Sequence, residues 1–276
     1  MSGPYYADDH VTLYLGDFRE ILPQLDGAMF DAVVTDPPYG ETSLKWDRWP
    51  DGWPSIVAPY ARSMWCFGSM RMFLDHRDEF ADWRLSQDVV WEKHNGSGTH
   101  ADRFRRVHEH ALHWYRGDWA TIYHETPTTP DATARTIRRK ARPAQWQGAT
   151  GATAYASHDG GPRLARSVIY APSMHGRATS ETEKPTGILE PLIAYAVPPG
   201  GVLLDVFAGS GSSGRAARAI GRRAVLIEQR ESQCEKAAER LSQGVLDLPA
   251  AAPVGRVVPP LRRVGAAPRR AGGTLL

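Results

Sequence analysis

The sequence predicts an α/β fold built on a mostly parallel sheet, and three stretches carry that prediction. The apolar run Ala32-Val33-Val34 is followed by Asp36-Pro37-Pro38-Tyr39. Two prolines forbid both further sheet pairing and helix, so the run reads as a buried strand that delivers Asp36 at its carboxyl end. A second apolar run, Val202 to Val206, opens into a loop holding Gly209, Gly211 and Gly214, then a helix started by Ser212 or Ser213 and closed by Gly221. A third run, Ala224-Val225-Leu226-Ile227, ends on Glu228. Open α/β sheets bind their ligands at such carboxyl ends.

Composition bounds the rest. With 276 residues, 42% of them hydrophobic, the chain can bury one large core and carry an inserted module. A net charge of +2 means that any nucleic-acid face is local, with the acids elsewhere. Cys66 falls in an apolar strand and Cys234 on a helical stripe with Ala237, Ala238 and Leu241, so both read as core residues rather than a disulfide or metal framework. There is no charged-then-apolar leader and no apolar run near 18 residues, which predicts a cytoplasmic protein without a membrane segment.

Asp36, the Pro37 carbonyl and the Tyr39 ring combine hydrogen-bond acceptors, a stiff turn and a flat face. That set suits an amine attached to an aromatic ring, whose lone pair is delocalised and whose N–H bonds must be pulled out of plane. The glycine loop lets the backbone approach a ligand at a helix N-terminus, and Glu228 is placed to hold a ribose, which points to a nucleoside cofactor. Taken alone, this second pattern also fits the dinucleotide fingerprint of dehydrogenases.

Asp36-Pro37-Pro38-Tyr39 resembles the catalytic motif of the DNA amino-methyltransferases, and Phe207-Ala208-Gly209-Ser210-Gly211 resembles their S-adenosyl-L-methionine loop. The resemblance extends over roughly four-fifths of the residues. LYLGDFREILPQL is similar to the segment before the catalytic strand, and implies that Asp17 reaches the adenosine end of the cofactor. SMWCFGS, QDVVWEKHNGSG and RVHEHALHWYRG resemble the following strands, and EKPTGILEPLIAYAVPPGG resembles the Lys-Pro segment in which Lys184 and Pro185 lead a helix. Ser212 and Ser213 replace the commoner threonine pair, and Glu183 stands where the family often has Gln.

The catalytic loop precedes the cofactor loop, as in the beta-class circular arrangement. The resemblance therefore implies a Rossmann-like methyltransferase fold with a mixed, mostly parallel seven-stranded sheet. It divides the chain into a catalytic half (1–117), an inserted target-recognition region (118–180), a cofactor half (181–246) and a basic tail (247–276). The implied cofactor-binding residues are Asp17, Lys184, Phe207, Gly209, Ser210, Gly211, Ser212 and Glu228; the implied catalytic residues are Asp36, Pro37, Pro38 and Tyr39. Double-stranded DNA is the implied substrate, adenine N6 the favoured target and cytosine N4 the alternative. A homodimer and a separate restriction endonuclease are the candidate protein partners.

Hydrophobic periodicity vanishes between Asp118 and Ser180, where Thr, Pro, Gly and Ala take over. Arg135, Arg138, Arg139, Lys140 and Arg142 cluster there without an acid, which suits phosphate contacts. After Asp247 the chain holds five arginines and no acid among Pro, Ala, Gly and Val, a composition that predicts disorder. In HEHALH, His108 and His110 share one face of a strand and miss the zinc-protease spacing, so no metal is expected. Trp46, Trp49 and Trp53 lie in a segment too irregular for a helix, either as a flap over a flipped base or as pins for a surface loop. No cysteine adjoins Asp36 in the sequence. Two other classes stay open: a nicotinamide-dependent oxidoreductase, which leaves the Asp-Pro-Pro-Tyr loop without a role, and a catalytically silent DNA-binding protein, which has no need of a cofactor loop.

Overall fold

The computed structural model describes residues 3–25, 27–97, 101–139, 152–173 and 183–243. In chain order its elements are β1 (Tyr6–Ala7), β2 (Val11–Leu15), α1 (Phe18–Ile21), β3 (Ala32–Thr35), α2 (Trp53–Val57), β4 (Ser63–Gly68), α3 (Met70–Asp75), β5 (Arg84–Ser97) and β6 (Arg106–Tyr115). There follow β7 (Thr128–Thr129), β8 (Arg135–Arg139), β9 (Thr153–Ser157), β10 (Arg163–Leu164), β11 (Val168–Tyr170), α4 (Thr186–Ala196), β12 (Val202–Asp205), α5 (Ser212–Ala219), β13 (Arg223–Glu228) and α6 (Glu231–Ser242).

The main sheet runs β1-β2-β13-β12-β3-β4-β6-β5-β11. Its inner seven strands, β2 to β5 in that order, are parallel except for β6, which is antiparallel to both β4 and β5. This is the mixed seven-stranded sheet expected, widened to nine by β1, antiparallel on β2, and β11, parallel on β5. Those edge strands have two and three residues, too short to leave a period in the sequence.

Both faces of the central strands are covered, which is why β3 and β4 are buried at every residue. Val34, Trp65, Phe67, Leu203 and Leu226 pack on one side with Ile188, Leu192, Ala216 and Ala237 from α4, α5 and α6. Their neighbours Val33, Met64, Cys66, Leu204 and Ile227 point to the other side, against Phe18, Trp53, Val57 and Met72. Trp53 is fully buried and meets Phe80 and Phe207 edge-on, so truncating it to Ala would cost about 3–5 kcal/mol. The expectation of a non-helical tryptophan segment is corrected at this point. Trp53 begins α2, with Pro54 in the first turn where a missing N–H costs nothing.

The stretch from 118 is also more ordered than its lost periodicity implies. β7 pairs with β10, β8 with β9, and β11 joins the main sheet beside β5, so the chain returns to the sheet before residue 180. β8 and β9 are mostly exposed, and a ladder without a buried face leaves no apolar alternation to read. His108 and His110 do share one face of β6, with ring centroids 5.3 Å apart. His113 is a core residue between the hydroxyls of Ser63 (3.0 Å) and Ser86 (2.8 Å), and burial lowers its pKa to about 3. The tail 247–276 lies outside the described residues.

Candidate active site

β3 and β12 are paired side by side, so Asp36 and Asp205 emerge at the same edge of the sheet. Thr35 Oγ1 donates to Asp205 Oδ1 at 2.6 Å and ties the two strand ends together. Asp36 follows Thr35 directly. Its Oδ1 accepts the Tyr39 hydroxyl at 2.6 Å, and its Oδ2 accepts Lys184 Nζ. Lys184 is buried among the rings of Phe67, Trp91 and Tyr39, 5.3, 5.8 and 5.9 Å from their centroids.

Behind Lys184 the charges alternate. Glu109 Oε2 lies 3.3 Å from Lys184 Nζ, and Glu109 Oε1 accepts Lys93 Nζ. Burial alone would raise the Glu109 carboxyl, but Lys184 and Lys93 hold it down at about 2. Burial would likewise lower Lys184, and Asp36 with Glu109 raises it instead. Burial pushes Asp36 upward against the pull of Lys184, while it drives the Tyr39 hydroxyl well above the tyrosine range, so Tyr39 stays a donor. A cysteine does lie nearby in space: Cys66 of β4 pairs with Thr35 of β3. Its side chain belongs to the Trp53 side of the sheet, and burial pushes its thiol well above the usual range, which disfavours the thiolate form a nucleophile needs.

The second half of the site hangs on Asp205 and Glu228. Asp205 accepts Phe207 N at 3.1 Å and Ser213 Oγ at 2.5 Å, bracing the loop to β12, while burial raises its pKa to about 6. Glu228 Oε2 accepts Gly209 N at 2.8 Å; Oε1 accepts Arg230 N at 2.9 Å and Nε at 3.1 Å. Gly209 has φ +52, and a Cβ added there would meet no protein atom within 4 Å. Phe207 is held edge-on by Phe18 and Trp53. From α6, Arg240 donates to Glu183 Oε1 at 2.5 Å and to Ser212 Oγ at 3.3 Å, linking the glycine loop to the residue before Lys184.

These groups wall a single cleft with about 880 Å³ between its sides, part of it open to solvent. Of the residues singled out from the sequence, Asp36, Pro38, Lys184, Phe207, Gly209, Ser210, Ser212 and Glu228 line it. Four others do not. Pro37 and Tyr39 are not part of the lining: Pro37 is buried, and Tyr39 is half-buried, resting against the core around Trp53 and Met64. Asp17 caps α1, its Oδ1 accepting Arg19 N at 2.8 Å, while its neighbours Gly16 and Phe18 face the cleft. Gly211 faces α6: a Cβ there would sit 3.2 Å from Ala237 Cβ, so this glycine serves helix packing. Asp205, Glu183, Trp46 and Arg230 line the cleft without having been singled out as cofactor ligands. Asp205 offered the same signal as Asp36, an acid ending an apolar strand just before a turn. Trp46 lies beneath the Arg230 guanidinium, 4.8 Å from its ring centroid.

The cleft carries the carboxylates of Asp36, Glu183, Asp205 and Glu228 against the cations Lys184 and Arg230. That excess of acid, with an open glycine backbone and a strand-end carboxylate, fits a positively charged nucleoside such as S-adenosylmethionine. Of the basic cluster, Arg135 and Arg138 do not line this cleft. Arg135 and Arg138 fall on opposite faces of β8 by strand alternation, so they do not form one patch, and Lys140 and Arg142 lie outside the described residues, as does the side chain of Arg139.

Comparison with known proteins agrees with this architecture. Residues 30–239 match the model of the DNA methylase family known as N6_N4_Mtase. The chain is 26% identical over 266 residues to the type II methyltransferase M.ScaI of Streptomyces caespitosus, covering 87% of this chain and 84% of that protein. Among solved structures, M1.HpyAVI in complex with SAM superposes with a TM-score of 0.59 at 20% identity, covering 84% of this chain and 99% of the other. The cytosine-N4-specific PvuII DNA methyltransferase superposes with a TM-score of 0.59 at 13% identity, covering 89% and 90%. With its family model spanning both the Asp36 loop and the glycine loop, this chain belongs to the N6/N4 DNA methylases, a family that uses S-adenosylmethionine.

Proposed function

We propose that this protein is a site-specific methyltransferase that acts on the exocyclic amine of a base flipped out of duplex DNA, adenine N6 being the favoured target. The observation that supports it is the shared cleft: Asp36 at the end of β3 and the glycine loop at the end of β12 face one space, with Lys184 held on Asp36. Asp36 rather than Ser at the motif's first position is what favours adenine over cytosine N4.

In this reading Phe207, Gly209, Ser210, Ser212, Asp205 and Glu228 hold the cofactor, which when bound supplies a methyl group activated on a sulfonium. Lys184, paired with Asp36, opposes the rise in its pKa that burial brings and so favours the carboxylate form. Each carboxylate oxygen retains a lone pair beyond those taken by Tyr39 and Lys184, so Asp36 and the Pro37 carbonyl can accept the two N–H bonds of the amine. Drawing those hydrogens aside turns the nitrogen lone pair toward the methyl. The Tyr39 ring stacks on the flipped base, an interaction worth about 1–3 kcal/mol. Positioning and fixed charge carry the rate, without a covalent enzyme intermediate.

Arg135, Arg138, Arg139, Lys140 and Arg142 are proposed to contact phosphates within the target-recognition region. Neutralising Arg138, Arg139 and Lys140 together should weaken DNA binding and flatten its salt dependence by about one log unit per lost contact. The type II designation of M.ScaI is a reason to look for a separate restriction endonuclease. The test of the whole reading is expression in a methylation-free bacterial host followed by modified-base sequencing. Methylated adenine in one short motif supports it, methylated cytosine N4 selects the alternative base, and unmodified DNA contradicts it.

A further inference from the structure

The hairpin joining β5 and β6 reaches well beyond the sheet that supports it. β4 ends at Gly68, opposite His110, whereas the β5–β6 ladder runs on to the pair Glu92 and His108 and, past an irregularity that puts three extra residues on β5, to Ser97 and Arg106. Those four further residues of β6 carry the hairpin roughly 13 Å past the end of β4. β5 runs parallel to β3 and β4, so the extension projects from the edge of the sheet that bears Asp36. The hairpin is also tied to the catalytic loop, because Arg106 Nη1 lies 3.6 Å from Oε2 of Glu41, two residues after Tyr39.

Two residues before Arg106 stands Phe104, with 101% of its surface exposed, the most exposed large apolar side chain among the described residues. Arg103 precedes it, and Arg105 and Arg106 follow; Asp102 pairs with Arg103 at 2.8 Å and Glu41 with Arg106 at 3.6 Å. Arg105 reaches back to the Gly96 carbonyl at 3.3 Å, which fastens the turn under Phe104. An aromatic ring left fully in water has no role in the fold. Set between cations and projecting from the catalytic edge, it has the chemistry of the apolar wedges that part stacked bases while neighbouring cations meet the phosphates.

We propose that Phe104 is a DNA wedge: the β5–β6 tip enters the duplex next to the target base, and the ring fills the gap that flipping leaves. This rests on the reading of the protein as a methyltransferase of duplex DNA, and adds a DNA contact outside the 118–180 region. The arginines steer the tip to the backbone, and Phe104 offsets the lost stacking.

The wedge is tested with the full-length protein and Phe104→Ala and Phe104→Leu variants. The probes are a synthetic duplex carrying the motif mapped by sequencing, and the same duplex with an abasic site opposite the target base. On the paired duplex Phe104→Ala should lose about tenfold or more in kcat/KM, because the enzyme alone must open the stack. On the abasic duplex, where the base is already unpaired, most of that loss should vanish, and Phe104→Leu should recover much of the paired-duplex rate. Equal loss on both duplexes makes Phe104 merely structural and overturns the wedge, as does an Ala variant within about twofold of the parent on the paired duplex. A Phe104→Ala protein that changes from dimer to monomer at full activity overturns it in favour of a contact between copies. A parent protein that methylates neither duplex overturns the proposed function and the wedge together.

Discussion

Lys184 and Asp36, 148 positions apart in the sequence, form a part-buried ion pair at the cleft, and Glu109 lies 3.3 Å from the same ammonium. The pair gives the acid limb of the pH profile a definite sign. Burial raises Asp36, and Lys184 is the group that opposes this. Lys184→Met should therefore raise Asp36 further, cut kcat at pH 7 by at least about tenfold, and move the acid limb to higher pH, with partial recovery of rate in alkaline buffer. The same variant leaves Asp36 and Glu109 without their shared cation, a loss of about 3–5 kcal/mol, part of which the double variant Lys184→Met/Glu109→Gln should return in thermal melts. An unshifted pH profile in a folded Lys184→Met protein would show that Lys184 does not govern Asp36.

Asp205 links cofactor affinity to pH. Its carboxyl, raised by burial to about 6, is half protonated at that pH and ionised above it. A cationic ligand favours the ionised form, so S-adenosylmethionine affinity should fall roughly tenfold as pH drops from 7 to 5. Stability runs the opposite way. The native state binds this proton more tightly than the unfolded chain, so Asp205 costs stability increasingly as pH rises from about 4 through about 6. Asp205→Asn should accordingly melt higher than the parent above pH 6 while binding the cofactor more weakly. Calorimetry and melting curves at pH 5 and 8 read both effects, and a pH-independent affinity would remove Asp205 from the binding account.

Gly209 and Gly211 separate ligand space from packing space. Both have positive φ, +52 and +74, so any side chain there carries a backbone strain of about 1–2 kcal/mol. An Ala at 209 would project into open space beside the cleft, whereas an Ala at 211 presses on Ala237. Gly209→Ala should therefore lose cofactor affinity with a modest drop in Tm, and Gly211→Ala should lose more Tm while the protein that remains folded binds normally. The reverse ranking in paired calorimetry and melting experiments would contradict the assignment of Gly209 to the cleft wall.

The parts of the site that could be read from sequence are those made by neighbours in the chain. Pro37-Pro38 stop β3 and fix Asp36 at its end, and the glycine run after Asp205 marks the turn into α5, because both are local backbone constraints. Gly211 looked equivalent to Gly209, and only the packing of α6 against α5 distinguishes them. The relay from Lys93 through Glu109 and Lys184 to Asp36 joins four separate segments and left no spacing to find. Glu109 stood among histidines that drew attention to zinc. The ladder of β8 and β9 has no buried face and hence no alternation, while the start of α2 at Trp53 was hidden by the prolines and glycine around it.

Asp36 is proposed to act on the amine during methyl transfer and not on the cofactor. The most direct measurement of this role is radiolabelled methyl transfer from S-adenosylmethionine to the mapped duplex by Asp36→Ala, with cofactor binding followed by calorimetry on the same preparation. Asp36→Ala should lose about 10²–10³ or more in kcat with S-adenosylmethionine affinity largely kept. Substantial turnover by the folded variant, or a loss of cofactor binding that matches the loss of rate, would contradict it.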